Sequence, residues 1–252
     1  MTITSLSLAS GPMAGGTSVV LIGTGFVGTT AVRFGATPAT SFTVDSATSI
    51  TAVAPAGIAG AVDITVVSPR GTSILGSSYF FREAPVLTAV SPDSGPLSGG
   101  NTVIVTGAHL LEATSLRFGT TAAGGFTVVS DARITATAPT GTVGTAGITV
   151  TTAGGTSAGY PYTYQAAPII TSLDPAEGTT STGNAITVTG ANLVSTRAVL
   201  FGTAPASFTV TSDSKIIAYA PPGVAGPVDV TASTPGGTSA PGIYTRVLRP
   251  AI

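Results

Sequence analysis

The sequence predicts an all-β chain built from three tandem β-sandwich domains. Three observations carry this. A set of short motifs recurs in the same order three times. The segments between them alternate apolar and polar residues with period two. Turn-forming Gly and Pro residues punctuate the chain at close spacing, and no segment of useful length has helical periodicity.

The repeat reads Arg33-Phe34-Gly35, Ser41-Phe42-Thr43-Val44, Ile50-Thr51-Ala52 and Ala54-Pro55 in its first copy. It returns as Arg117-Phe118-Gly119, Gly125-Phe126-Thr127-Val128, Ile134-Thr135-Ala136 and Ala138-Pro139. The third copy is Phe201-Gly202, Ser207-Phe208-Thr209-Val210, Ile216-Ile217-Ala218 and Ala220-Pro221. Phe34 and Phe118 are 84 residues apart, and Phe118 and Phe201 are 83 apart. That period is too long for a solenoid unit and suits a whole small domain. The expected boundaries are residues 1–82, 83–165 and 166–252.

Within a copy, Val19–Ile22, Val103–Val105 and Ile186–Val188 read as one strand. Ala31–Phe34, Ser115–Phe118 and Ala198–Phe201 read as another, with Val32 and Phe34 inward and Arg33 outward. Val62–Val66, Ala146–Val150 and Val228–Thr231 make a third, in which Asp63 and Asp229 face solvent. Gly15-Gly16-Thr17 lacks the Lys-Ser/Thr of a phosphate loop and reads as a hairpin turn. Gly25, His109 and Asn192 share one column, just before the apolar plugs Phe26, Leu110 and Leu193. Gly, His and Asn are residues that tolerate positive φ, so a left-handed turn is expected at all three. The joins Arg82-Glu83-Ala84-Pro85 and Gln165-Ala166-Ala167-Pro168 are too short and too proline-bound for a flexible tether, which predicts a semi-rigid rod.

Composition narrows the function. Charged residues make up 8% of the chain, against about 25% in an average soluble protein. Net charge is −1 and the only lysine is Lys215, so there is no basic footprint for nucleic acid or anionic lipid. There is no cysteine, which excludes disulfides. No apolar run reaches the length of a membrane span. Met1-Thr2-Ile3-Thr4 lacks the look of a secretory signal, so either a leader has been removed or the protein leaves the cell another way, as by lysis.

Catalytic material is thin, and no enzyme activity or cofactor is expected. His109 is the only histidine, and its column holds Gly and Asn in the other copies. Asp131 and Asp213 follow serines in equivalent turns. Two readings stand for them: Asx turns closed on their own backbone, favoured here, or calcium ligands. Asn101, Asn184 and Asn192 start no N-glycosylation sequon. Aromatic residues gather in the last strand of each copy, as Tyr79 and Phe81, then Tyr160, Tyr162 and Tyr164, then Tyr244. They predict an interdomain joint or a partner surface; stacking on sugar is the alternative.

Other motifs match a known family. Val90-Ser91-Pro92-Asp93-Ser94-Gly95-Pro96-Leu97-Ser98-Gly99-Gly100, the Phe-Gly strand, the Ile-Thr-Ala-x-x-Pro run and the closing Gly154-Gly155-Thr156-Ser157 and Gly236-Gly237-Thr238-Ser239 resemble the IPT/TIG domains. The first copy departs with Leu8 in place of the proline, and the third with Thr179–Gly183 and Leu200. The resemblance implies an early-set immunoglobulin-like sandwich in each copy. It implies no single function, since such domains serve in receptors, transcription factors, adhesins, spacers of polysaccharide-degrading enzymes and phage particles. The expectation is a non-enzymatic structural or adhesive rod, extracellular, on a cell surface or part of a particle, working through protein partners or self-assembly. A carbohydrate-binding array is the alternative, and DNA binding is disfavoured by the charge. Pro250-Ala251-Ile252 matches the opening of a further copy, and is expected either to dock on a neighbouring subunit or to mark a trimmed array.

Overall fold

A computed structural model describes residues 1–181 and 183–248; the Pro250–Ile252 stub lies outside them. Every regular element among the described residues is a β-strand. The first domain contains β1 (Thr2–Leu6), β2 (Ser10–Pro12), β3 (Ser18–Thr24), β4 (Ala31–Phe34), β5 (Thr37–Pro38), β6 (Ser41–Ser46), β7 (Ser49–Val53), β8 (Gly60–Ser68) and β9 (Gly71–Arg82). They form two sheets, ordered β1-β3-β7-β6 and β2-β9-β8-β4-β5. All pairings are antiparallel except β2 with β9. The chain therefore changes sheets between β1 and β2.

The second and third domains repeat this order. In the second, Val86–Ser91, Thr102–Ala108, Arg133–Thr137 and Gly125–Ser130 make one sheet. Ser94–Pro96, Tyr160–Gln165, Gly144–Thr152, Ser115–Phe118 and Thr121–Ala122 make the other. Where β9 runs unbroken for 12 residues, its counterparts split into Gly155–Thr156 plus Tyr160–Gln165, and Gly237–Thr238 plus Gly242–Val247. The extra length of β9 is taken up at Ser77, whose φ is 45° and whose amide donates to the exposed Asp63 carboxylate at 2.7 Å.

Gly15 and Gly16 do not close a hairpin. They lie between β2 and β3, which belong to different sheets, so the segment is an arch over the sandwich edge. The two-sheet core requires such a crossing, and local turn chemistry gives no sign of it. The hairpin turns of this domain are instead at Gly35-Ala36, Ala47-Thr48 and Pro69-Arg70.

Each domain has its own core. In the first, Val19, Leu21, Phe26, Val32, Phe34, Ile50, Ile64 and Val66 are buried between the sheets, while Arg33 is exposed. Burying a side chain of this size contributes roughly 1.5–3 kcal/mol. The second and third clusters hold the equivalent residues, and none of the three clusters includes a residue from another domain.

Candidate functional site: the interdomain joints

The tyrosines of the last strands, with Phe81, pack into the domain cores rather than forming a joint or an exposed partner surface. Tyr79, Tyr162 and Tyr244 are fully buried, and Phe81 and Tyr164 nearly so. Tyr160 is half-buried against the core of the second domain. Tyr79 meets Phe34 edge-on with centroids 5.0 Å apart, and Tyr162 meets Phe118 at 5.1 Å and Tyr164 at 5.1 Å. Period two explains the placement: alternate residues of this strand face the core, and they are the large aromatics.

Their hydroxyls account for part of the repeat motif. A Cβ on Gly95 would overlap the Tyr162 hydroxyl, and Gly11 and Gly178 stand in the same relation to Tyr79 and Tyr244. The glycine before each Pro12, Pro96 or Thr179 thus leaves room for a phenol. Asn101 bonds the Tyr162 hydroxyl. Thr17 and Asn184 stand at the matching place beside Tyr79 and Tyr244, yet neither bonds the hydroxyl with normal geometry. Burial raises all four buried phenols above their ordinary range. Tyr164 reaches about 12 through burial and then repulsion from Tyr162, while its hydroxyl donates to the Pro139 carbonyl at 2.9 Å. Arg246 replaces Phe81 and Tyr164 in the third domain. It is 7% exposed and donates to the Pro221 carbonyl at 3.2 Å, with Nε unpartnered.

The joints are made by residues that the sequence marks only as turns. Gly25, His109 and Asn192 have φ of 74°, 58° and 58°. In the second and third domains this turn grips the linker that precedes it. His109 Nε2 lies 2.7 Å from Glu83 Oε2, and Arg82 Nη2 lies 3.6 Å from Glu112 Oε2. At the next joint the Asn192 amide donates to the Ala167 carbonyl at 3.0 Å, and the Ser195 hydroxyl donates to Gln165 Oε1 at 3.0 Å. On the other side of each linker lies the first glycine of a Gly-Gly-Thr-Ser hairpin. A Cβ on Gly154 would overlap the Glu83 carbonyl, and one on Gly236 the Ala166 carbonyl. Arg70 occupies the equivalent position in the first domain.

Asp131 and Asp213 also belong to this clasp rather than to Asx turns. Asp131 accepts the amides of His109 and Leu111, each at 3.3 Å, and Asp213 accepts that of Val194 at 3.4 Å. The bonds that close their own turns come from the serine before them: the Ala132 amide donates to Ser130 Oγ, and the Ser214 amide to Ser212 Oγ, both at 3.2 Å. No group of three His, Asp or Glu side chains among the described residues is placed to hold a metal ion.

Beside each clasp is an open cleft. The one at the first joint, about 440 Å³, has an apolar floor of Phe80 and Leu111 under Arg82, Glu83, His109 and Glu112. The one at the second, about 290 Å³, is lined by Val143, Tyr164, Gln165, Asn192 and Ser195. The repeat of core, tyrosine-glycine contact and clasp is matched at the level of sequence. The IPT/TIG domain model fits residues 1–82, 85–164 and 168–245. The chain belongs to the IPT/TIG domain family.

Solved structures share this architecture at low identity. One, a complex with a xylogluco-oligosaccharide, is 17% identical over 96% of this chain and 59% of its own, with a TM-score of 0.39. The plexin A4 extracellular region is 21% identical over 88% of this chain and 21% of its own, with a TM-score of 0.46. FdeC, an Escherichia coli adhesin, is 16% identical over 96% of each chain, with a TM-score of 0.31. The chain thus spans less than two thirds of the first two. These likenesses concern the fold alone.

Proposed function

We propose that this IPT/TIG chain is a non-enzymatic spacer: a semi-rigid array that holds binding partners apart at an extracellular, cell or particle surface. The observation that carries the reading is the clasp. Both linkers are gripped from two sides by the following domain, at equivalent positions and with different chemistry. A chain selected only for independent modules would not need to repeat that grip. The sparse charge and the Ser/Thr-rich exterior suit contact with other proteins. Solution scattering and negative-stain images of the full chain test this: an extended particle about three domains long is expected, and a compact envelope would refute it.

The carbohydrate alternative loses the residues it was built on, because Tyr79, Tyr162, Tyr164 and Tyr244 are in the cores. A glycan screen that returns binding sensitive to Phe80→Ala, the partly exposed ring of the first joint, would favour it over the spacer reading.

A further inference from the structure

We propose that the two joints are not equivalent: the first is an ionic clasp that responds to salt, and the second is a neutral clasp that does not. The sequence carries 9 basic and 10 acidic residues in all, with one histidine. Arg82, Glu83, Glu112, Asp131 and the lone His109 nevertheless all line the first cleft. Among the residues lining the second cleft, Asp213 alone is an acidic or basic residue, and its carboxylate is spent on the Val194 amide. Consecutive linker residues, Arg82 and Glu83, reach opposite-sign partners on one turn, Glu112 and His109.

The backbone is strained to allow this. Glu112 has a φ of 60° where the first domain has Gly28 at 86°, and His109 has 58° where the first domain has Gly25. A non-glycine residue in the left-handed region carries a steric cost. Asn192 holds the same 58° in the second joint, so that turn is common to the copies; Glu112, which pairs with Arg82, is the left-handed side chain peculiar to the first joint.

The sign of the response follows from the groups present. His109 faces Glu83 from the linker, with Arg82 beside it, and Glu112 and Asp131 from its own domain; Ala59 and Gly60 of the first domain add no charge. Arg82 and Glu112 carry opposite charges across the joint, and the Glu83 carboxylate holds the His109 imidazole. The first joint is therefore tightest at low ionic strength. Salt screens its half-exposed pairs. The second joint is built on an amide, a carbonyl and a hydroxyl, and stays constant.

The chain has no cysteine, so label pairs can be placed at will. Thr43, Thr127 and Thr209 are equivalent, exposed positions on the three domains. Single-molecule energy transfer in the full chain between Thr43→Cys and Thr127→Cys should show a narrow distance distribution at low ionic strength. It should broaden in about 1 M salt. The Thr127→Cys/Thr209→Cys pair should not change. The double variant His109→Asn, Glu112→Gly relieves the backbone and gives the first joint uncharged partners. It should fold at least as well as the parent and abolish the response. A first joint that ignores salt, or two joints that respond alike, would overturn the inference. An extended particle without the salt response would leave the spacer reading standing and remove only this one.

Discussion

The phenol of Tyr162 and the side-chain amide of Asn101 bond each other through both amide atoms, at 3.0 Å from Nδ2 and 3.2 Å to Oδ1. The same tyrosine in the other two domains has no such partner. One conserved architecture thus holds three phenols in two states of satisfaction. Tyr162→Phe strips a half-buried amide of its bond and should cost the second domain about 1 kcal/mol. Tyr79→Phe and Tyr244→Phe remove a buried hydroxyl that is unpaired, and should be neutral or stabilising. Hydrogen exchange in the full chain, read by peptides within each domain, would resolve the three cases. A uniform loss across all three would contradict the geometry.

Alkaline pH should unfold the second domain first. Burial, with repulsion from Tyr162, lifts Tyr164 to about 12, above the value near 10 of an unfolded tyrosine. A folded-state value above the unfolded one means that the folded state holds its proton more tightly. The associated stability is complete below pH 10 and is lost as pH rises from about 10 to 12. Allowing for solvent screening of the phenol, the loss amounts to roughly 1–2 kcal/mol. Tyr164→Phe lacks the phenol and should flatten the alkaline limb of the second domain. Absorbance of ionised phenol against pH, beside circular dichroism, measures both halves of the expectation.

Most of the fold was legible because its causes are local and repeated. Alternation put Val32 and Phe34 inside and Arg33 outside, and each copy corroborated the others. The last strands were misread because aromatic residues beside a linker suggest an interface, whereas period two sends Tyr79 and Phe81 into their own core. The clasp was invisible for a different reason. His109 with Glu83 and Asn192 with Ala167 are contacts across a domain boundary, and no pattern within one copy encodes them. A trace did exist: the Gly-Gly-Thr-Ser motif occurs at Gly154 and Gly236, but Arg70 stands in the first domain.

That difference predicts how to open a joint without melting a domain. A side chain at Gly154 or Gly236 would collide with backbone of the linker, which cannot swing aside as a side chain can. Gly154→Val should therefore free the first joint and Gly236→Val the second, each leaving hydrogen exchange in the three cores unchanged. Scattering should report a wider distribution of dimensions for each. Arg70→Gly, the reverse change at the equivalent position of the first domain, should leave the spacing of the three domains as it is. Loss of core protection in either valine variant would place these glycines in the fold of the domain instead.

The last prediction separates two roles for Asp131. Its carboxylate accepts two amides of the turn that carries His109, and this turn is held left-handed at a non-glycine residue. Backbone amides are what the carboxylate satisfies here, and among the described residues no group of three His, Asp or Glu side chains is gathered to hold a cation with it. Asp131→Ala should cost the second domain about 1–2 kcal/mol, because two amides lose a charged acceptor. Asp131→Asn keeps an acceptor oxygen and should recover part of that loss. The first domain offers a natural comparison, since Ala47 fills the position and Gly25 needs no support to stay left-handed. If the carboxylate serves the turn, thermal unfolding of the wild type will be the same in millimolar calcium and in chelator. A calcium-dependent rise that vanishes in Asp131→Ala would mean that the oxygens bind a cation, and that the amide bonds are incidental to it.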